Sequence, residues 1–582
     1  MQSKKTAKKF ILNMTVIQFF KFYDKKNICA ILKIIIDKAI KQMYHLIIDR
    51  LIKQKKSVFC LDFCTQVMAQ KINSAKEIIF MSLLSYSSFG YEGTIITVET
   101  DLRKGIPSFD IVGLSDGIAR ETGERIVSAF RNSSLDFPSE RVLSSLSPSD
   151  IKKESASFDL PLALDIYNQT LSEPFSENVG VMGELQLNGK IRNVRGIFAF
   201  IQNAYNHNIR KFILPLFSKE TVKNLSQKIL DDVEFLFVSD LKECTEKYRD
   251  FKSYEKIQSV KTNEINVSFR TDLDDNIEIE KGYSNLVRAL MIAISGKHNI
   301  LSFGDLKGSL MRKLQYALLP DLTVGEMETV SRIYSLSELD YKYSSHAPVR
   351  TPHQTASIEG MCGGGSYCRP GEFSLSHNGI LFLDEAHEFK SSVLQMLRVP
   401  LEIKSITLSR AGRSTVFPAD FQLHLNTLPC PCGNYGSKDK ICLCSAKDVN
   451  QYWKKFSSPL LDRIEIRTET RYDGNDNKIY SLEELREGIV KAYSIQRKRK
   501  AFNGKLSPQE IMNLCKIDEK TQNYLDIVIE RKNLSQRIVN NILKVSLTIA
   551  NINGRNEITL EDLKESVNLC TSQGYELIDL TA

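Results

Sequence analysis

The N-terminal half of the chain alternates short runs typical of strands and helices. β-Branched and polar residues alternate over Gly93–Glu99, which predicts a half-buried strand. A second strand is predicted over Ile106–Leu114, followed by an amphipathic helix over Gly117–Asn132. This alternation continues to about Asp250. Residues 81–250 are therefore predicted to form an α+β domain.

The pattern changes in the second half. Residues 251–275 are polar and lack periodicity, which predicts a linker. A helix over Ser284–Ser295 leads to a strand over Asn299–Phe303, a glycine turn and another helix, the order of a parallel α/β nucleotide-binding fold. We expect this core to span 276–480, and the spacing of apolar residues predicts helices over 481–582.

The first 80 residues differ in charge from the rest. They hold 16 Lys and Arg against 5 Asp and Glu, a net charge of +11, whereas the whole chain carries +8. The remaining part is thus slightly acidic, at −3, so any argument for nucleic acid from basic charge rests on residues 1–80. Two interpretations stay open: a basic amphipathic helix that contacts a membrane or nucleic acid, or translation upstream of a native start at Met81.

Composition narrows the class of protein. Of the 582 residues 42% are hydrophobic and 25% are charged, which is ordinary for a soluble protein of several domains. No run of ~18 apolar residues predicts a membrane span. Twelve cysteines in so long a chain indicate a reduced compartment, so a cytoplasmic location is expected.

Two adjacent carboxylates end an apolar run. The segment Gly379–Glu385 is typical of a buried strand that finishes in Asp384 and Glu385. In P-loop enzymes the first such carboxylate helps to hold Mg²⁺ and the second polarises the attacking water. Because neighbouring strand residues point to opposite faces, the pair is able to take two roles. The alternative is a solvated acidic strand end without a function.

Several further motifs resemble one family. In chain order they are Pro107–Phe109, Ile111–Leu114, Phe158–Pro161, Pro348–His353, Gly363–Ser366, Arg369–Glu372, His377–Glu385, Pro429–Gly433 and Pro459–Arg463. The set resembles the YifB/ComM family of magnesium-chelatase-like AAA+ ATPases, and its first three members resemble that family's Lon-protease-like N-terminal domain. The resemblance covers nearly all of residues 81–575.

The resemblance implies a multidomain α/β fold. Its parts would be an S5-like or Lon-like α+β N-terminal domain, an AAA+ P-loop α/β core and a C-terminal helical lid. It implies ATP and Mg²⁺ as cofactors, with Asp384 as a Mg²⁺ ligand and Glu385 as its catalytic neighbour. It also implies self-assembly into a ring, expected to be a hexamer without a membrane partner. ComM-type members act on DNA, where they promote branch migration.

Two arginines match residues that the family uses at its nucleotide sites. Arg463 matches the arginine that completes a neighbouring subunit's site by stabilising charge on the γ-phosphoryl group. Arg537 matches the arginine that the helical lid directs to the nucleotide. The alternative for each is a surface arginine in an ion pair.

The phosphate loop departs from the family pattern G-x-x-x-x-G-K-[ST]. In that pattern backbone N–H groups cradle the phosphates, and the Lys and the hydroxyl complete the site. Here the loop is about two residues short and has no Gly-Lys-Ser/Thr triplet. Asp305 adds an unfavourable negative charge unless it faces away. If the loop still enters a helix N-terminus, the nucleotide-binding candidates are Gly304, Lys307, Gly308 and Ser309.

A second departure follows the next predicted strand. The family has an Asn before its Pro-Cys-Pro-Cys-Gly motif that helps to position the hydrolytic water, and this chain has Leu428 there. Asn426 lies two residues upstream on the same strand face, about 6–7 Å away. Whether Asn426 takes over the role of the asparagine that Leu428 replaces stays open. Whether this chain hydrolyses ATP also stays open.

The Lon-like part lacks a peptidase pair. Lon-type peptidases use a serine activated by a lysine of depressed pKa. Ser157 lies near the serine position, but Phe198 stands where the lysine is expected. Because phenylalanine accepts no proton, this part is predicted to be structural and not proteolytic.

Four cysteines form the metal candidate: Cys430, Cys432, Cys442 and Cys444. Four soft thiolates favour zinc, although the C-x-C spacing is tighter than the usual C-x₂₋₄-C. The open interpretations are a structural zinc site and reduced free thiols. Cys362 and Cys368 are weaker metal candidates, and His353 and His377 match family motifs without a predicted catalytic role.

Three functions follow from these observations. The first is ATP-dependent DNA processing of the YifB/ComM type, such as branch migration in recombination or transformation. The second is a non-hydrolysing ring component or adaptor that keeps Arg463 but binds nucleotide weakly. The third is the motor subunit of a metal chelatase, which the N-terminal domain disfavours because such subunits begin directly with the core.

Overall fold

The computed structural model describes the chain from Leu83 to Thr571. Within this range the description omits residues 150, 152, 154–155, 173–177, 259–266, 271–281, 306, 338, 340–343, 411–412, 438–439 and 473–479. The basic segment 1–80, with both of its interpretations, lies outside the described residues.

The N-terminal part alternates strands and helices, as the sequence predicts. Its strands are β1 Leu83–Ser87, β2 Thr94–Arg103, β3 Ser108–Val112, β4 Arg141–Ser147, β5 Val179–Val181, β6 Glu184–Leu185, β7 Ile191–Arg192, β8 Lys211–Pro215 and β9 Glu234–Val238. Its helices are α1 Asp116–Asn132, α2 Asp159–Gln169, α3 Ile197–Asn206, α4 Lys219–Val222, α5 Gln227–Asp232 and α6 Leu241–Lys247.

Seven of these strands form a mixed sheet in the order β3–β4–β2–β1–β5–β8–β9. Strand β2 is antiparallel to both of its neighbours, and the other pairs are parallel. Successive residues of a strand face opposite sides, so the sheet has a core on each side. Ile213 packs with α1 and α2 on one side, whereas Phe212 packs with α3 on the other.

The central part carries a second sheet and its covering helices. Its strands are β10 Ile300–Phe303, β11 Val349–Arg350, β12 Gly363–Gly364, β13 Arg369–Pro370, β14 Ile380–Leu383, β15 Ser405–Arg410, β16 Arg413–Pro418, β17 Gln422–Thr427 and β18 Ile466–Glu469. Its helices are α7 Ser284–Gly296, α8 Gly308–Leu318, α9 Val324–Ser335, α10 Ile358–Cys362, α11 Glu372–Leu375, α12 Ser391–Met396, α13 Arg398–Ile403, α14 Ala446–Lys454 and α15 Ser458–Leu461.

The central sheet is parallel, with the order β11–β14–β17–β10–β18. After β10 the chain passes to β11 at one edge, whereas after β17 it passes to β18 at the other. Connections that leave in opposite directions open a crevice at the carboxyl ends of the two strands, where α/β sheets bind ligands. The topology therefore brings the ends of β10, β14 and β17 to one place.

The C-terminal helices pack on one face of this sheet. They are α16 Leu482–Arg499, α17 Pro508–Leu514, α18 Glu519–Lys532, α19 Gln536–Ile552 and α20 Leu560–Thr571. Ile300 and Phe382 of the sheet share a hydrophobic core with them and with α7 and α8. Inside that core the side chains of His298 and Thr548 are hydrogen-bonded at 2.7 Å, and Asn503 donates to Thr548 at 3.0 Å.

The N-terminal and central parts meet in direct contacts. Arg332 of α9 donates to the carbonyl oxygen of Tyr91 at 3.0 Å. Gly90 donates its N–H to the carbonyl oxygen of Tyr367 at 3.0 Å. Gly90 has a φ of +67°, and a Cβ there would lie 2.5 Å from the hydroxyl oxygen of Thr415 on β16. Only glycine permits an approach this close.

The predicted elements occur within a few residues of their expected positions. The helix expected over Gly117–Asn132 is α1, and the strands expected before the phosphate loop and before Asp384 are β10 and β14. The start of the expected linker packs on the N-terminal sheet, where Glu255 donates its N–H to Phe235 at 2.8 Å. Among the described helices, none is long and apolar enough to cross a membrane.

A buried carboxyl in α2 makes the stability of the N-terminal part dependent on pH. Asp165 is only 4% exposed, and burial raises its pKa to about 7 against opposing hydrogen bonds from Thr100. Because the folded pKa lies above the ordinary value of 3.8, the contribution of Asp165 to stability is complete below pH ~4 and is lost as pH rises through ~7.

We expect Asp165→Asn to stabilise the protein at pH 8 by on the order of 2 kcal/mol, since a neutral amide avoids the cost of ionisation. Near pH 4 the variant and the parent should be nearly equal. Thermal unfolding at both pH values measures this, with the exposed Asp136→Asn as control. If Asp165→Asn changed the melting temperature equally at the two pH values, Asp165 would not be the source of the pH dependence.

Candidate nucleotide site and cysteine cluster

The predicted phosphate-loop residues lie at the crevice of the central sheet. Gly304 follows β10 directly, and α8 begins at Gly308, so the loop does enter a helix N-terminus as predicted. Lys307 is the N-cap residue of this helix, and Ser309 in its first turn is exposed. Asp305 is also exposed, so its charge points to solvent.

The carboxylate of Asp384 lies against the start of α8. A Cβ built on Gly308 would lie 1.9 Å from Oδ2 of Asp384, so only glycine fits at this position. The dipole of a helix N-terminus favours a negative charge nearby, and the Asp384 carboxylate lies beside Gly308, the first residue of α8.

Asn426 holds this carboxylate in place. Its side-chain N–H donates to Oδ1 of Asp384 at 2.9 Å, and its own oxygen accepts from the hydroxyl of Ser302 at 3.0 Å. Asn426 and Ser302 are fully buried on neighbouring strands, β17 and β10. Asn426 thus binds Asp384, and Leu428 occupies the position where the family has its asparagine.

Glu385 differs from the expectation of two carboxylates on opposite faces of a strand. Strand β14 ends at Leu383, and Glu385 has a left-handed backbone with φ +50°. The alternation of a strand therefore does not extend to this pair. The backbone N–H of Glu385 turns back and donates to Oδ1 of Asp384 at 3.1 Å.

The ammonium group of Lys307 lies 4.4 Å from the centre of the Tyr283 ring, a cation–π distance. With the short loop and with Asp384 against Gly308, the residues present do not form the cradle that a polyphosphate and Mg²⁺ require. The fit to ATP therefore fails at the phosphate loop, although every predicted loop residue lies at the expected edge of the sheet.

The side chain of Arg463 is 16% exposed and that of Arg537 is 52% exposed, and both act on the carboxyl of Glu402. Arg463 donates to the carbonyl oxygen of Pro459 and pairs with Glu402, and Arg537 lies 3.5 Å from Asp462. Arg463, with smaller contributions from Arg537 and another arginine, lowers the pKa of the Glu402 carboxyl. Both arginines therefore have ion-pair partners within the chain. Glu402 is 61 positions away from Arg463, and no local pattern in the sequence links the two residues.

The four clustered cysteines come together. All four sulfur atoms lie within 4.8 Å of one another. Cys430 is buried three residues after the end of β17, whereas Cys432 is exposed. The backbone N–H of Asn434 lowers the pKa of the Cys432 thiol, and burial raises that of Cys430.

The weaker candidates stay outside this group. Cys362 and Cys368 are both buried, and neither belongs to the metal-capable cluster found among the described residues. The Nδ1 atom of His377 accepts the N–H of Asp420, and burial lowers the pKa of His377 to about 4. His353 makes a local hydrogen bond to Thr355.

Ser157 and Phe198 occupy structural positions in the N-terminal part. Phe198 is fully buried in the core that α3 forms on one side of the sheet. Ser157 is buried beside Phe158, which belongs to the core on the other side.

The parallel sheet order, the crevice and the acidic pair define an AAA+-type α/β protein with a magnesium-chelatase-like central part. Three family profiles match along the chain: "Subunit ChlI of Mg-chelatase" over residues 98–217, "Magnesium chelatase, subunit ChlI" over 276–477 and "Magnesium chelatase, subunit ChlI C-terminal" over 480–569.

Comparison with individual proteins shows to which magnesium-chelatase-like family the chain belongs. Competence protein ComM of Haemophilus influenzae is 32% identical over 83% of this chain and 96% of its own length. The uncharacterized protein YifB of Escherichia coli is 31% identical over 83% of this chain and 95% of its own. A Lon protease of Mesomycoplasma hyopneumoniae is 20% identical over 28% of this chain and 19% of its own length. The chain belongs to the YifB/ComM family of magnesium-chelatase-like proteins.

The role of Asp384 at the N-terminus of α8 is tested by whether its substitution lowers or raises the stability of the protein. We expect Asp384→Asn to destabilise the protein by ~1 kcal/mol, because it removes a favourable charge from the N-terminus of α8. The matched variant Glu385→Gln should change the melting temperature little. Thermal unfolding without nucleotide or metal measures both, and stabilisation by Asp384→Asn would show a carboxylate held unfavourably for an absent cation.

Proposed function

We propose that this chain is a ring-forming component of the YifB/ComM type that does not hydrolyse ATP at its own site. The observation that carries this proposal is the Asp384 carboxylate against Gly308. The helix N-terminus that binds phosphate in P-loop proteins has an internal anion here. The missing Gly-Lys-Ser/Thr triplet and Leu428 support the same conclusion.

In the proposed role the chain still assembles into a ring and still uses Arg463 and Arg537. Arg463 is mostly buried and pairs with the exposed Glu402, and the more exposed Arg537 lies 3.5 Å from Asp462, the residue before Arg463. Displacing an exposed carboxylate costs little, because water and salt screen ion pairs at the surface. In a ring we propose that this pair of arginines faces a neighbouring subunit, where it pairs with an anion that the neighbour holds.

We propose the domain division 81–250, 276–480 and 481–582, with 251–275 as the linker. The first domain is assigned a structural role, because a buried Phe198 leaves a Ser157 peptidase without its base. A cytoplasmic location and a hexamer are parts of the same proposal. A chelatase motor is not proposed, because the relatives that align over 95–96% of their own length are a competence protein and a YifB protein.

A second candidate is ATP-dependent DNA processing such as branch migration. The alignment with 96% of a competence protein favours it. For this function Asp384 must leave Gly308 and the loop must reopen around ATP and Mg²⁺. DNA is a proposed partner in both cases, and binding through backbone phosphates would weaken steeply with salt.

Calorimetry of the full chain with ATP and Mg²⁺ separates the two candidates. We expect no binding, and no change in Lys307→Ala or in the control Lys313→Ala, which alters an exposed lysine of the same helix. A variant whose loop is lengthened by two residues to Gly-x-x-x-x-Gly-Lys-Thr should gain binding, because it restores the phosphate cradle.

Micromolar binding by the parent that is lost in Lys307→Ala but kept in Lys313→Ala would overturn the proposal. It would show that the short loop opens and cradles phosphates. Hydrolysis and strand-exchange assays on branched DNA would then test the second candidate.

A further inference from the structure

The cysteine cluster has the dimensions of a single-ion site. The sulfur atom of Cys430 lies 3.4 Å from that of Cys432 and 3.7 Å from that of Cys442, and the latter two are 3.6 Å apart. A disulfide would need ~2.05 Å. Four sulfurs at ~2.3 Å from one zinc ion stand ~3.8 Å apart, the edge of the tetrahedron. The sulfur atoms of Cys430, Cys432 and Cys442 thus form one triangular face of such a tetrahedron.

In the loop that carries the thiols, two large apolar side chains are exposed while the neighbouring cysteines are partly buried. Ile441 and Leu443 are 83% and 89% exposed, whereas Cys442 and Cys444 are partly buried and pack against the hydrophobic core of the central part. Apolar burial alone would favour the opposite arrangement, because an isoleucine or leucine gains ~1.5–3 kcal/mol when fully buried. An attraction specific to sulfur explains why the cysteines are the inward residues.

The surrounding backbone supports thiolates. The N–H of Tyr435 donates to the sulfur of Cys430 at 3.3 Å, a bond that stabilises a ligating sulfur. The indole N–H of Trp453 donates to the carbonyl oxygen of Pro429 at 3.0 Å, which fixes the residue before Cys430. Ser445, directly after Cys444, caps helix α14. Both ends of the loop are therefore anchored to regular structure.

We propose that Cys430, Cys432, Cys442 and Cys444 bind one zinc ion as a closed tetrathiolate site with a structural role. Binding replaces the thiol protons, which are released to solvent, and no electron is transferred. Zinc is favoured over ferrous iron because N, O and S sites bind it more tightly. Sulfur atoms this close leave no room for a cluster of several irons. The site fixes the segment that follows β17 against α14.

The test uses the full chain, purified under reducing conditions from cells supplied with zinc. Metal analysis by mass spectrometry should find one zinc per chain. Cobalt(II) added to the metal-free protein should give the strong visible absorption of a tetrahedral tetrathiolate complex. Cys432→Ser should lose that spectrum and lower the zinc content several-fold. Because Cys432 is exposed, the substitution leaves the hydrophobic core unchanged. The control Cys515→Ser, remote from the cluster in sequence, should keep both.

Chelation gives a second measurement that does not need a variant. Removal of zinc from the parent should lower the melting temperature, and Cys432→Ser should respond little. The proposal is overturned if the parent contains no stoichiometric zinc and its reduced form binds no cobalt. It is equally overturned if peptide mapping shows Cys430 in a disulfide, or if Cys432→Ser retains parental metal content. Neither readout depends on ATP, so failure here is distinct from failure of the proposed function.

Discussion

The contact of the Asp384 carboxylate with the N-terminus of α8 connects the main parts of the central sheet. It joins the end of β14 to the helix that follows β10, and Asn426 ties the same carboxylate to β17. Asp384 is partly buried, and a carboxylate that loses part of its water needs hydrogen bonds in exchange. The side-chain amide of Asn426, the backbone N–H of Glu385 and the helix dipole together supply that compensation. The same carboxylate lies beside the helix N-terminus at which P-loop proteins bind a phosphate.

The topology explains why this edge of the molecule was available for a site. Connections that diverge after β10 and β17 leave a crevice whatever the residues that line it. The fold thus preserves the geometry of a nucleotide-binding protein while the loop residues decide whether nucleotide enters. For this reason the family assignment and the capacity for hydrolysis are separate questions. The fold supports the first, and the residues of the phosphate loop determine the second.

Sequence patterns predicted most of the architecture but not the contacts that decide the site. The periodicity of α1, the apolar run of β14 and the glycine turn after β10 are local signals, and these elements lie where they were expected. The contact of Asn426 with Asp384 spans 42 positions and depends on strand order, which no local pattern contains. Ser302, a polar residue inside an apolar strand, was the one available signal. The left-handed turn at Glu385 was missed because a run of apolar residues does not show where its strand ends.

The close approach at Gly90 has a consequence for how such a protein can be inherited. The N-terminal part meets hairpin β15–β16 through a backbone position where any side chain would strike Thr415. Two gene segments that meet in such a contact cannot be exchanged independently between relatives, because a foreign partner would need the same glycine and the same space opposite it. Recombination between family members is therefore expected to transfer the two parts together, although each has a hydrophobic core of its own.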